Sequence, residues 1–380
     1  MEKDESKRSL AAKNLKLAIQ SVASYVERSD TLMILVPPTV HENHTHPKTG
    51  RKMFTCYRTW RRRGLCLLEM FSCFLSRRKS HPILLVKSAL EPPMWISSHE
   101  CLKLAVGEAN FTCCDTNHRG HDGKSFMECS RLVAGNVLAR LIAAKVDYLL
   151  QQNAVVHARW VSVLEHFWTR GLDRHVNIMT DITIAHFKKM LHWDAAIDGE
   201  WIDREGVSVL TYAACMNNLE AVCAILDSMK ENAIISELID ARIRKSGFLY
   251  FGIPGLCTAL IGAMVFGSSN VVEKLLMNGA NPYITDKNGN DPLMCACVYG
   301  RLTNVKFWLE ERFINWNLET RGKYGGMCLS LSLCFFNIYI HAYIHEFRYH
   351  IVVCSVHGAK PCGTGQISHY QGCCSRCGKL

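Results

Sequence analysis

Four groups of residues have types and spacings that could do chemistry. Cys101, Cys113, Cys114, His118, His121 and Cys129 bring the soft donors of a structural zinc site into one short stretch. Zinc sites ordinarily pair their ligands two to four residues apart. Cys113 and Cys114 are adjacent, so their spacing predicts ordinary loop residues, with His118 and His121 the one pair of suitable separation. His41, His44 and His46, set among polar residues before Pro47, read as an exposed loop. Asp194, Asp198, Gly199 and Glu205 fall at positions one, five, six and twelve of a calcium loop. Ala196 removes the ligand at position three, and Gly206 interrupts the helix that should follow. Finally, Cys354-x-x-His357 and Cys374-x-x-Cys377 have zinc-like spacing, with Cys362 and Cys373 competing for the same ion. None of these patterns is complete, and the expectation is no metal and no cofactor.

The elements that position these residues follow from hydrophobic periodicity. Residues 10–27 form an amphipathic helix, and 31–36 a short apolar strand ended by Pro37-Pro38. Residues 64–75 form a Leu-, Met- and Phe-rich helix and 83–86 a second strand. A helix crossing between two apolar strands predicts a parallel pair, since parallel neighbours need a crossover. The stretch 91–130 is loop-like, and 131–171 is helical with one broad apolar face. Another amphipathic helix at 182–191 precedes the most regular part of the chain.

That regular part is centred on 270–293. Val271, Val272, Leu275 and Leu276 recur at helical spacing, Asn278-Gly279 ends the helix, and Asp291-Pro292 reads as an N-cap followed by proline at the first helical position. A shift of thirty-three residues carries Leu260 onto Leu293, Ala263 onto Ala296, Gly267 onto Gly300 and Leu276 onto Leu309. A third copy, with Leu210, Ala213, Val222 and Leu226, lies fifty residues upstream of the middle one. Gly-Ala-Asn-Pro, Asp-x-x-Gly-x-x-Pro-Leu and the thirty-three-residue period resemble ankyrin repeats over 203–322. The resemblance implies paired helices, hairpin loops and a protein partner. A fourth copy is expected to begin at Glu319-Thr-Arg-Gly322 and to fail after Met327.

The N-terminal region is similar to the middle of a Toll/interleukin-receptor (TIR) domain. Cys66-Leu67-Leu68-Glu69-Met70 stands at a helix start followed by a strand. Members of that family that cleave NAD carry a catalytic glutamate in such a motif, so the resemblance implies Glu69 as a carboxylate stabilising an oxocarbenium-like state. Leu65 replaces the usual Trp, and the family's first strands are missing. At a helix start, Glu69 also has the plain role of complementing the helix dipole.

The 380 residues, 48% hydrophobic and 21% charged, have the composition of a globular protein. The charge of +10 is dispersed in runs such as 58–63 and 77–79, which read as solvated faces rather than a nucleic-acid surface. The N-terminus has no apolar signal core, so the nineteen cysteines are expected to be reduced in a cytoplasmic, intracellular protein. The apolar stretch 328–344 contains Asn337 and His341 and is not expected to span a membrane.

The expected architecture is mainly α. A partial, TIR-like α/β module (1–90) and a Cys/His-containing loop region (91–130) precede helices capping the repeats (131–200). An ankyrin-repeat solenoid (201–322) with an insertion at 228–255 and an aberrant hydrophobic then Cys-rich tail (323–380) follow. The expected function is a signalling scaffold that binds another protein, without catalysis or a small-molecule substrate; the alternative is NAD cleavage at Glu69. Met264, Val265, Met294 and Val298 lie on or near the first helices, where most apolar positions serve the inter-repeat core. The contact candidates are Tyr283, Lys287 and Asn288 at a loop tip, together with Phe248, Tyr250 and Phe251. Those three aromatics of the insertion serve either as partner anchors in a projecting loop or as local core.

Overall fold

A computed structural model describes residues 2–45, 52–77, 81–115, 117–118, 128–172, 183–194, 196–313, 316–323, 325–328 and 343–344. The chain divides into two units, Met1–Met216 with Phe248–Ile253, and Asn217–Gly247 with Pro254–Leu380. It is mainly helical, with a small sheet near the N-terminus.

The first unit opens with helix α1 (Glu2–Arg28), strand β1 (Leu32–Leu35), a hairpin of β2 (Thr39–Thr45) and β3 (Lys52–Thr55), and a single helical turn α2 (Tyr57–Trp60). Helix α3 (Gly64–Phe74), strand β4 (Ile83–Val86) and strand β5 (Met94–Ile96) follow. β1 and β4 pair in parallel, Leu32 opposite Ile83, as the strand–helix–strand pattern predicts. β5 extends the sheet antiparallel to β4. The loop expected around His41 and His44 is instead strand β2; His46 lies outside the described residues.

Helix α3 is apolar on nearly every side, which suits a helix covered all round. Leu68, Met70 and Phe71 have no exposed surface, and α3 packs on both α1 and α5. The Phe74 ring meets Trp168 edge-on at 5.6 Å.

A short turn α4 (Thr112–Asp115) leads to α5 (Ser130–Gln151), α6 (Val155–Trp168), α7 (Ile184–Met190) and α8 (Val209–Cys215). The helical stretch expected over 131–171 is thus two helices. Asn153 breaks it with φ of 54°, a left-handed conformation that Asn tolerates better than most side chains. The two arms pack against each other, and α6 packs on α8.

One buried charge network holds this end of the unit. Arg159 on α6 is 2% exposed. Its Nε donates to the Leu191 carbonyl at 2.7 Å and its Nη2 to the His192 carbonyl at 2.9 Å. Its Nη1 and Nη2 also reach the Asp198 carboxylate at 3.2 and 2.5 Å, and Nη1 reaches Asp203 at 3.2 Å. Tyr212 on α8 donates its hydroxyl to Asp203 at 2.8 Å. Burial alone would raise the Asp198 carboxyl, but the Arg159 bonds hold it below its ordinary value.

The second unit contains α9 (Leu219–Glu231), α10 (Ile235–Leu238), α11 (Ala259–Phe266), α12 (Ser269–Met277), α13 (Pro292–Val298) and α14 (Leu302–Lys306). α14 runs into a π-helical turn at Phe307–Arg312. α11 packs on α12 and α13, α13 packs on α14, and α12 packs on both α9 and α14. Every residue of α11 is buried, whereas α12 buries Val271, Val272 and Leu275 on one side. Buried Asn304 donates its amide to the carbonyls of Ala263, Met264 and Gly267 at 3.0–3.3 Å, bonding the carbonyls at the end of α11. After α9 the insertion forms only one short α-helix, the four residues of α10.

No helix among the described residues is long and apolar enough to cross a membrane. Of the stretch 328–344 only Cys328, Tyr343 and Ile344 are described, and the Cys/His pairs after 350 lie outside the described residues.

Removing one partner from a buried ion pair leaves the other charge uncompensated, at a cost of about 3–5 kcal/mol. Arg159→Met is therefore expected to lower unfolding stability by about that amount, measured by urea denaturation. In the unaltered chain the depressed Asp198 carboxyl contributes stability above the ordinary value of 3.8 and loses it as pH falls below.

Candidate functional site

The candidate site is the set of loops at Gly255, Lys287–Asn288 and Lys323 in the second unit, each before the first helix of a sequence copy. Among the described residues, the cap that Thr183 and Asn218 form at α7 and α9 also opens the first helix of each of three sequence copies. Ser208, Thr258 and Asp291 accept hydrogen bonds from the N–H groups of Thr211, Ile261 and Met294 at 3.0, 3.3 and 2.7 Å. Caps of this kind contribute about 1 kcal/mol each.

Two of the three copies also share a turn. Asp203 N–H donates to the Val207 carbonyl and Asp286 N–H to the Asn290 carbonyl, both at 2.9 Å. Gly206 and Gly289 close these turns with φ of 80° and 73°. Asp203 Oδ1 accepts from the N–H groups of Glu205 and Val207, and Asp286 Oδ1 from those of Asn288 and Asn290.

The fourth turn is present in a different register from that expected. Gly322, not Glu319, takes the aspartate's place. Its N–H donates to Gly326 at 2.9 Å, and Gly325 closes the turn at φ 74°. Cys328, six residues after Gly322, is in helical conformation.

Successive loops are joined through backbone. Lys287 N–H donates to the Gly255 carbonyl at 2.8 Å, and Lys323 N–H to the Asn288 carbonyl at 2.6 Å. At Gly289 a Cβ would stand 3.1 Å from the Lys323 nitrogen, so the positive φ and the close neighbour both favour glycine.

The three loop-tip candidates differ in availability. Tyr283 is 71% exposed and stacks on Trp316 with centroids 5.1 Å apart and planes 11° from parallel. Lys287 is half-exposed. Asn288 is half-buried, and its side-chain amide leans on Asp286 Oδ2 at 3.4 Å. Trp316 was not among the residues singled out by sequence, although it stands thirty-three residues after Tyr283 at the same repeat position. Its ring also packs on Trp308 and Phe313, and its Nε1 donates to Asp291 Oδ2 at 3.4 Å.

The other candidates lie elsewhere. The aromatic loop of the insertion does not project: Phe248 and Phe251 are 3% and 1% exposed within the first unit. Tyr250 stacks on Phe74 at 4.9 Å and donates its hydroxyl to the Phe74 carbonyl. Their apolar area is spent on local core, the second of the two outcomes the sequence leaves open. Glu69 is half-buried on α3, and burial raises its carboxyl above the ordinary range. It lines neither the cleft of about 620 Å³ bordered by α1, Phe111 and Cys113 nor that of about 330 Å³ bordered by Trp60 and Arg63.

The calcium-loop pattern is taken up by other partners. Asp198 is neutralised by Arg159, and Asp194 Oδ1 accepts the Ala196 N–H at 2.9 Å. The adjacent thiols of Cys113 and Cys114, expected to be unable to face one point, do converge, together with His118 and Cys129. Cys101 is wholly buried apart from them, and His121 lies outside the described residues.

Comparison with protein-family models and with curated proteins gives no match for this chain.

Burial raises the Asp291 carboxyl above its ordinary value despite the Met294 N–H and Trp316 bonds that oppose the shift. The folded state therefore holds a proton more tightly than the unfolded one. This contribution to stability is full below the unfolded value of 3.8 and is lost as pH rises through the folded value. Asp291→Ser, matching Ser208 in the first copy, is expected to keep the cap and abolish that slope, whereas Asp291→Ala loses about 1–2 kcal/mol near neutrality. Unfolding curves at a series of pH values would distinguish the two.

Proposed function

We propose that the chain is a protein-recognition scaffold of the ankyrin-repeat type, which binds another protein through the loop tips of its repeats and performs no chemistry there. The observation that carries this reading is the recurrence of one cap at Ser208, Thr258 and Asp291, fifty and then thirty-three residues apart. The backbone bonds that set the loops at 255, 287–288 and 323 side by side support it further. A row of loops held by backbone presents side chains in fixed geometry, and preorganisation lowers the entropic cost of binding. Tyr283 is the anchor of this surface. A large exposed ring already held flat on Trp316 supplies contact area with little freedom left to lose. Lys287 beside it supplies charge, which favours an acidic patch on the partner.

A photo-crosslinking residue at position 283 of the full chain would capture the partner, whose affinity is then measured against variants. Tyr283→Ala is expected to weaken binding by about 10–30-fold, the usual scale for an aromatic anchor. Lys287→Glu should mainly slow association at low salt. Glu69→Ala should leave affinity unchanged, and release of nicotinamide from NAD by the wild-type chain, lost in Glu69→Ala, would instead support the enzymatic alternative. Equal affinity of wild type and the Tyr283 and Lys287 variants would sink the proposal.

A further inference from the structure

We propose that Cys113, Cys114, His118 and Cys129 form a structural zinc site. It lies in the first unit, remote in sequence from the loop tips, and does not depend on the recognition role assigned to them. The four donor atoms all lie within 4.8 Å of one another. Cys114 Sγ stands 3.9 Å from Cys113 Sγ, 3.8 Å from Cys129 Sγ and 3.7 Å from His118 Nε2. Zinc binds thiolate at about 2.3 Å and imidazole at about 2.0–2.1 Å in a tetrahedron, so ligand sulfurs sit about 3.8 Å apart and a sulfur–nitrogen pair about 3.6 Å apart. The three separations radiating from Cys114 are therefore edges of such a tetrahedron. None of the three sulfurs is in a disulfide.

The backbone explains how adjacent cysteines come to face one point. The single turn of α4 presents both sulfurs, and the chain then reverses through Asn117 and His118, at φ 51° and 58°. His118 N–H donates to the Cys113 carbonyl at 2.7 Å, and this folds the imidazole back onto Cys114. Two consecutive non-glycine residues in the left-handed region are uncommon, and such strain concentrates where the surroundings impose a geometry.

Cys129 arrives from the other side as the N-cap of the twenty-two-residue α5. The first N–H of that helix, from Ser130, points at Cys113 Sγ at 3.4 Å, and a helix N-terminus favours thiolate over thiol. Three thiolates and one imidazole select zinc over the hard cations that prefer oxygen. Because the chain supplies all four ligands, no position is left for a reacting water, which makes the site structural rather than catalytic. It would fasten α4 to the start of α5, across residues 119–127.

The test uses the full chain, purified under reductant without chelator. Elemental analysis should give one zinc per chain, and cobalt substituted for it should show the visible absorption of a tetrahedral thiolate complex. Peptide mapping after alkylation should find Cys113, Cys114 and Cys129 protected until a chelator is added, while half-exposed Cys223 reacts in both states. Cys114→Ser with Cys129→Ser should remove the ion. Cys374→Ser with Cys377→Ser, which alters the zinc-like pair near the C-terminus, should retain it. The proposal is overturned if the wild-type chain binds no zinc, or if the Cys114/Cys129 variant keeps it. Equal alkylation with and without metal, or recovery of these thiols as a disulfide, overturns it too. Should that variant fail to fold, the alkylation pattern of the wild-type chain decides.

Discussion

The charge of Arg159 is the constraint on which the end of the first unit depends. A guanidinium that deep is tolerated only if its N–H groups are answered, and here five hydrogen bonds answer them, from two backbone carbonyls and two carboxylates. Asp203 has a second task. One of its oxygens faces Arg159 and Tyr212, and the other organises the turn before α8. The ion pair and the turn therefore stand or fall together, and the sequence that looked like part of a calcium loop serves this purpose instead.

The second Asp turn solves the same problem without a cation. Asp286 is 4% exposed, and its inner oxygen makes the same backbone bonds as that of Asp203. Its outer oxygen is met by the side-chain amides of Asn288 and Asn290. At the fourth turn Gly322 and Gly325 close the backbone without any carboxylate. What recurs is a backbone path, while the means of satisfying it changes from copy to copy. This variation explains why a turn expected to start at Glu319 closes instead at Gly322–Gly326.

What was legible in the sequence was local. Strands β1 and β4, helix α3 and the cap at Asp291 each follow from residues within a few positions of one another. The misses were set by distant partners. Nothing near Phe248 announces that it packs with Trp160 at 5.4 Å, and Cys129 meets Cys114 only because a left-handed turn and a helix start meet in space. The break at Asn153 was hidden for another reason, since one left-handed residue does not disturb the apolar periodicity on either side of it. Trp316 was findable, because the repeat period leads directly to it from Tyr283.

The loops at Gly255, Lys287–Asn288 and Lys323 are tied to one another by main-chain hydrogen bonds. Exposed positions along this row can therefore change identity without altering the hydrogen bonds that align them. Shape and surface lettering are thus carried by different parts of the chain, the main chain for one and the side chains for the other. Substitution at a tip such as Tyr283 leaves these main-chain bonds in place, so the row can keep its register while its surface chemistry changes.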